Sequence, residues 1–208
     1  MIFQRKFIKF IQIIFILAGI ILLFGNEAWF PSYYRPRLMA LVALLYSFLI
    51  ELPALIIRDS DITTDQEKIF FRRQFQIVLA LGLLASGLGS LGLWGLYQIG
   101  IPYDKFVHFS FSAVMTISGT FFIQVWQGWS FKKTIFLIIL IVGASDLVWE
   151  FIELWSNRYL NFGFFGHLFD HDSIFDILSG LLGVIAGGVI LVWRGWLDKK
   201  LSSFLIKR

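Results

Sequence analysis

Cysteine is absent from this chain, which removes disulfides, thiolate nucleophiles and cysteine metal sites from consideration. Charge is scarce as well: Asp, Glu, Lys and Arg make up 15% of the 208 residues, against about 25% in an ordinary soluble domain. Only four prolines occur, and no stretch rich in Pro, Gly or Ser offers a linker, so residues 1–208 read as a single domain. The sequence also lacks a phosphate-cradling glycine loop, a serine–histidine triad, and any His-Glu-x-x-His or Glu-x-x-His pair. A net charge of +4 could point to nucleic acid. The basic residues, however, flank apolar runs and call first for a membrane explanation, so no nucleic-acid partner is expected.

What is present is apolar. Hydrophobic residues make up 58% and aromatic residues 18%, with a mean hydropathy of +0.77, the composition of a polytopic membrane protein. A span needs roughly 20 residues at about 1.5 Å each. Six runs qualify: Phe7–Phe24, Leu38–Ile57, Phe75–Tyr97, Lys105–Trp126, Thr134–Trp155 and Ser173–Trp193. The expected fold is therefore all-α, a bundle of six transmembrane helices. The first run has a basic lead (Arg5, Lys6, Lys9) like that of a signal peptide. Its length, with no Ala-x-Ala-like site after it, reads instead as a retained helix.

The cations set an expected orientation. With the N-terminus inside, the inner segments hold Arg5, Lys6, Lys9, Arg58, Lys68, Arg72, Arg73, Lys132, Lys133, Arg194, Lys199, Lys200, Lys207 and Arg208. The outer segments hold only Arg35, Arg37, Lys105 and Arg158. This asymmetry obeys the positive-inside rule and puts both termini in the cytoplasm of a bacterial inner-membrane protein. The loop from Arg58 to Gln74 reads as solvated. The tail 194–208, "RGWLDKKLSSFLIKR", reads as a basic amphipathic helix on the anionic inner leaflet. Gly82, Gly87, Gly89, Gly92 and Gly95 in the third run, and Gly180, Gly183, Gly187 and Gly188 in the sixth, read as close-packing faces. Pro53 would bend the second run locally.

Against this background "ASDLVWEFIELW" (144–155) is anomalous, because Asp146, Glu150 and Glu153 fall inside the fifth run. Spacings of four and three place all three on one helical face. Asp146 would lie near the midplane, with Glu150 and Glu153 about 6 and 10 Å further out. An ionised carboxylate at a helix centre costs roughly 2.5–3.5 kcal/mol on the lenient insertion scale, so this face must line protein or a wet cavity. The fourth run enters from the same side through "PYDKFVHFSFS", with Asp104, His108 and Ser112 on one face. The sixth enters through "FGHLFDHDSIFDILSG", which carries His167, Asp170, His171, Asp172 and Asp176. Together, Asp104, Asp146, Glu150, Glu153, Asp170, Asp172 and Asp176 are half of the chain's 14 acids. All three histidines lie with them.

Blander roles compete. Asp104, Asp170 and Asp172 can cap helix N-termini, and Lys105 is expected to reach the headgroups rather than pair with an acid. His108 can make a lone structural hydrogen bond, His167 and His171 can be solvated, and the buried acids can knit helices together. As chemistry, the set suits a divalent cation held by His108, Glu150, Glu153, Asp176 and Asp172. It equally suits proton exchange through Glu150, His108, Asp176 and Asp104.

The motifs "DKFVHF" (104–109), "EFIE" (150–153) and "DILSGLLG" (176–183) resemble, in the same order, those of VanZ-like and YjdF-like bacterial membrane proteins. The similarity runs from about Pro102 to Gly188. It implies an inner-membrane protein with an outward-facing acidic site at Asp104, Lys105, His108, Glu150, Glu153 and Asp176. VanZ-like proteins are associated with teicoplanin resistance and cell-envelope effects. Three functions are therefore expected to compete. The first is a membrane enzyme, metal-dependent, acting on a lipid or lipid-linked envelope substrate. The second is a small proton- or cation-coupled transporter with Asp146 as the coupling group, along a thin polar path of Glu51, Thr116, Ser118 and Gln124. The third is a non-catalytic scaffold among membrane lipids.

Overall fold

The computed structural model describes residues 2–26, 36–56, 66–91, 93, 96, 99–160 and 170–205, with the backbone alone at 2, 56, 67, 90, 156, 157, 160, 170–172 and 196–205. Six helices follow one another: α1 (Ile2–Phe24), α2 (Pro36–Ile56), α3 (Gln66–Ser90), α4 (Tyr103–Gln127), α5 (Phe131–Leu160) and α6 (Asp170–Leu205). Each contains a stretch long and apolar enough to cross a membrane. Among the described residues there is no strand. The all-helical, six-span architecture matches the expectation from hydropathy.

Two groups of helices build the bundle. In the first, α1, α2 and α3 share an apolar core of Ile8, Ile11, Phe15, Ala43, Tyr46, Ile50 and Ala80. The i, i+3 and i+4 spacings within α1 and α2 form the inward stripe. Phe15 meets Tyr46 edge to face at 5.5 Å between ring centroids, and Tyr46 Oη lies 3.0 Å from Ser86 Oγ. In the second group, α4 packs against both α5 and α6, and it also joins the two groups through α3. Phe75 stacks on Phe122 and Phe71 on Phe121 across the α3–α4 seam. Tyr103 donates to the Ala85 carbonyl there, at 2.9 Å.

Helices α4 and α6 share the most extensive contact among the described helices and approach closely. A Cβ on Gly183 would overlap the Phe109 backbone carbonyl, and one on Gly187 would sit 2.6 Å from the Ala113 carbonyl oxygen. The glycines of the sixth run thus act as the expected packing face, because only a missing side chain lets the two backbones come this near. Gly82 similarly admits the Phe111 ring to α3. Gly92 and Gly95 lie outside the described residues. At the other end of α4, Gly128 adopts a left-handed φ of 63° and donates to the Gln124 carbonyl, closing the helix as a C-terminal glycine does. The short connection to Phe131 folds α5 back along α4. Leu147, Val148 and Phe151 on α5 remain exposed, as lipid-facing side chains should.

Several boundaries depart from expectation. Helix α3 begins at Gln66, not near Phe75, and stops at Ser90, short of Tyr97. Lys68, Arg72 and Arg73 are therefore helical, and the supposedly solvated loop ends earlier. Lys68 rests over the Trp126 ring at 5.7 Å, while Arg72 is buried. The glycines at the far end, each costing a helix about 1 kcal/mol, explain the early stop. Helix α5 runs past Trp155 to Leu160. The tail is not a separate surface helix, since α6 continues unbroken from Asp170 to Leu205. Pro53 lies inside α2, which stays one continuous helix.

Gly183→Ala should destabilise the protein by about 1–3 kcal/mol, the usual range for overpacking. Gly195→Ala, where an added Cβ meets nothing, should be neutral or mildly stabilising. Thermal unfolding in detergent measures both.

Candidate functional site

The starts of α4 and α6 and the second half of α5 lie at one end of the bundle, and their polar side chains converge on His108. Its Nδ1 is 3.1 Å from Asp146 Oδ1 on α5. Its Nε2 is 3.3 Å from Glu150 Oε1 and 3.6 Å from Asp104 Oδ1. Lys105, next to Asp104 on α4, reaches across to Asp176 Oδ1 on α6 at 3.1 Å. This is a correction: Lys105 pairs with an acid of the site and does not extend to the headgroups.

Helical spacing explains why these groups meet. Asp104 and His108 are one turn apart on α4, and Asp146 and Glu150 are one turn apart on α5, so each helix presents two groups on one face. The antiparallel turn at Gly128 sets those faces opposite each other. Helix α6 closes the third side, and Gly180 makes this possible: an added Cβ there would overlap the Asp146 carboxylate. The glycine required for packing is thus also the one that shelters an acid.

Burial is deep. Glu150 is 1% exposed and Asp176 4%. Among the described residues Glu150 is met only by His108 Nε2 at 3.3 Å and by the Ser173 side chain, without a well-formed hydrogen bond, and Asp146 Oδ2 has no partner. Buried polar atoms are nearly always satisfied, and an unmet carboxylate is more costly than an unmet neutral group.

The imidazole has a defined polarity. A carboxylate accepts, so Asp146 fixes the proton on Nδ1 and leaves Nε2 facing Glu150 and Asp104. An acceptor facing two carboxylates needs a proton or a cation between them. One ligand atom from each of Asp104, His108 and Asp176 can lie within 4.8 Å of the others. Metal–ligand bonds of about 2.0–2.6 Å span such a set. The donor chemistry, imidazole with carboxylates, suits a divalent cation of borderline or hard character.

The expected ligand set is thus redistributed. His108 and Asp176 fall in the group, and Asp104, expected in proton exchange and not among the ligands, joins them. Asp146, expected beneath the site, holds the imidazole. Glu150 touches His108 Nε2 but lies outside the three-residue group. Glu153 is half-buried one turn further along α5 and is not in that group either. The side chain of Asp172, and those of Asp170 and His171, lie outside the described residues, as does His167.

A family model described as a predicted membrane protein (DUF2238) matches residues 7–200. The chain belongs to this family. The match extends across α1 to α3, well beyond the second half where the motif resemblance was confined. No curated protein and no solved structure matches the sequence. Family membership establishes a multi-pass membrane protein and assigns no activity, so chemistry must be argued from the pocket.

Replacing Glu150 by Gln removes a buried charge at constant shape. The thermal midpoint in detergent without added metal should stay level or rise, as when a functional acid is neutralised. A fall beyond about 4 °C, roughly 1 kcal/mol or more in a chain this long, would mean that the acid serves cohesion.

Proposed function

We propose that the His108 pocket is a divalent-cation site opening to the outer face of a bacterial inner membrane, in an enzyme acting on a lipid or lipid-linked envelope substrate. The carrying observation is the orientation of His108, held through Nδ1 by Asp146 with Nε2 turned toward Asp104 and the buried Glu150. A carboxylate behind a metal-binding imidazole is the usual orienting device. Asp104, His108 and Asp176 would hold the ion. Bound there, it would polarise a substrate oxygen or activate water. Glu150, against Nε2 and out of solvent, would take or return a proton. Lys105 balances part of the carboxylate charge through Asp176.

The outward orientation rests on the Lys/Arg asymmetry, which collects cations at the end of the bundle opposite the pocket. Of the two motif resemblances, the YjdF-like one accords with membership of the DUF2238 family. The VanZ-like one, and the resistance phenotype with it, is not carried to this chain. The transport reading gains little support along α4: Thr116 donates to the Ser112 carbonyl and Thr120 to the Thr116 carbonyl. Hydroxyls turned back onto their own helix do not extend a polar path inward.

Elemental analysis and metal titration of the purified chain test the site. Wild type should retain a divalent ion, His108→Ala and Asp176→Asn should lose it, and Asp146→Asn should weaken it about 10–100-fold. Mass spectrometry of envelope lipids incubated with the protein should show a product that vanishes with Glu150→Gln. Absence of bound metal in wild type, together with an unaltered lipid profile, would reject the proposal.

A further inference from the structure

The opposite end of the bundle holds a second polar cleft that the proposed activity does not use. It lies between the start of α1, the end of α2 and the start of α3, with a volume of about 260 Å³. Arg5, Lys9, Arg72 and Arg73 line it, together with Glu51 and Gln76. We propose that this cleft binds a phosphate group, carried by an anionic lipid headgroup or by free phosphate.

The charge count favours an anion. Among the described residues four cations face the cleft against one carboxylate, and that carboxylate is already engaged: Glu51 meets Lys9 at 3.5 Å and accepts from Gln12 Nε2 at 3.1 Å. Gln76 is held by its own bond to the Ile50 carbonyl at 3.1 Å, so the wall beside Arg72 is fixed. Ordinary membrane-flanking arginines extend outward to keep the guanidinium in water. Arg72 does not, since only 4% of it is exposed. Arg72 and Arg73 also make other interactions within the chain. Guanidinium groups match phosphate oxygens in pairs. Basic pockets between spans on the side facing anionic lipid are suited to phosphate headgroups. The volume falls just below the roughly 300–1,000 Å³ of drug-sized pockets, a scale fit for a headgroup or a small phosphate ester.

The test uses the full chain in uncharged detergent, with affinity read from the shift in thermal midpoint on titration. The probes are short-chain phosphatidylglycerol, phosphatidylcholine and inorganic phosphate. Phosphatidylglycerol should bind more tightly than phosphatidylcholine, and Arg5→Gln and Arg73→Gln should each weaken it about ten-fold or more, as for a lost charge-assisted bond. Lys133→Gln, at the same end but seated on the Trp129 ring at 3.7 Å, should leave affinity unchanged. Binding by phosphatidylglycerol alone identifies the headgroup as the source, and competition by inorganic phosphate identifies the free anion. Failure of both to bind, or an equal loss in Lys133→Gln, overturns the proposal.

Discussion

The imidazole of His108 is the group around which the second half of the bundle is arranged. Lipid offers no water to a buried carboxylate, so Asp146 and Glu150 must find company inside the protein. His108 supplies it to both, at 3.1 and 3.3 Å through different ring nitrogens. The close passage of α6 along α4 follows from the same need. Only with glycines at 180, 183 and 187 can α6 come near enough to bring Asp176 to Lys105 and leave space for the Asp146 carboxylate.

On the proposed reading this arrangement is a reactive centre rather than a brace. Bracing networks in membranes close their hydrogen bonds, because each open one is costly. Here Asp146 Oδ2 and Glu150 are incompletely satisfied, at the point where Nε2 of His108 also turns. Buried acids short of partners beside an imidazole suit a pocket that takes up a proton or an ion.

Much of the fold was legible in the sequence, since six apolar runs permit little other than six spans, and most helix ends fell near turn residues. The misplacement of α3 has a physical cause. Hydropathy discounts Lys68, Arg72 and Arg73, whereas the fold accommodates them through the Trp126 ring and the cleft beside Glu51. At the site, the i, i+4 spacing within α4 and within α5 was enough to anticipate shared faces. It could not tell Glu150, against the imidazole, from Glu153 one turn on, because that depends on where α4 ends opposite α5. The contact of Asp146 with Gly180 joins residues far apart in the chain, and no local pattern announces it. Arg72 was read as solvated for the same reason: its burial is a property of three helices together.

Helix α6 is unusual in length, with 36 residues in one unbroken run, or about 54 Å at the standard rise. A hydrocarbon core of about 30 Å leaves a considerable overhang. Asp176 lies near one end of this rod and the basic segment 194–205 at the other. Helices transmit displacement along their axis as stiff elements. A tug or tilt applied to the overhang therefore reaches the Lys105 ion pair directly, making the far tip a natural handle on the His108 pocket.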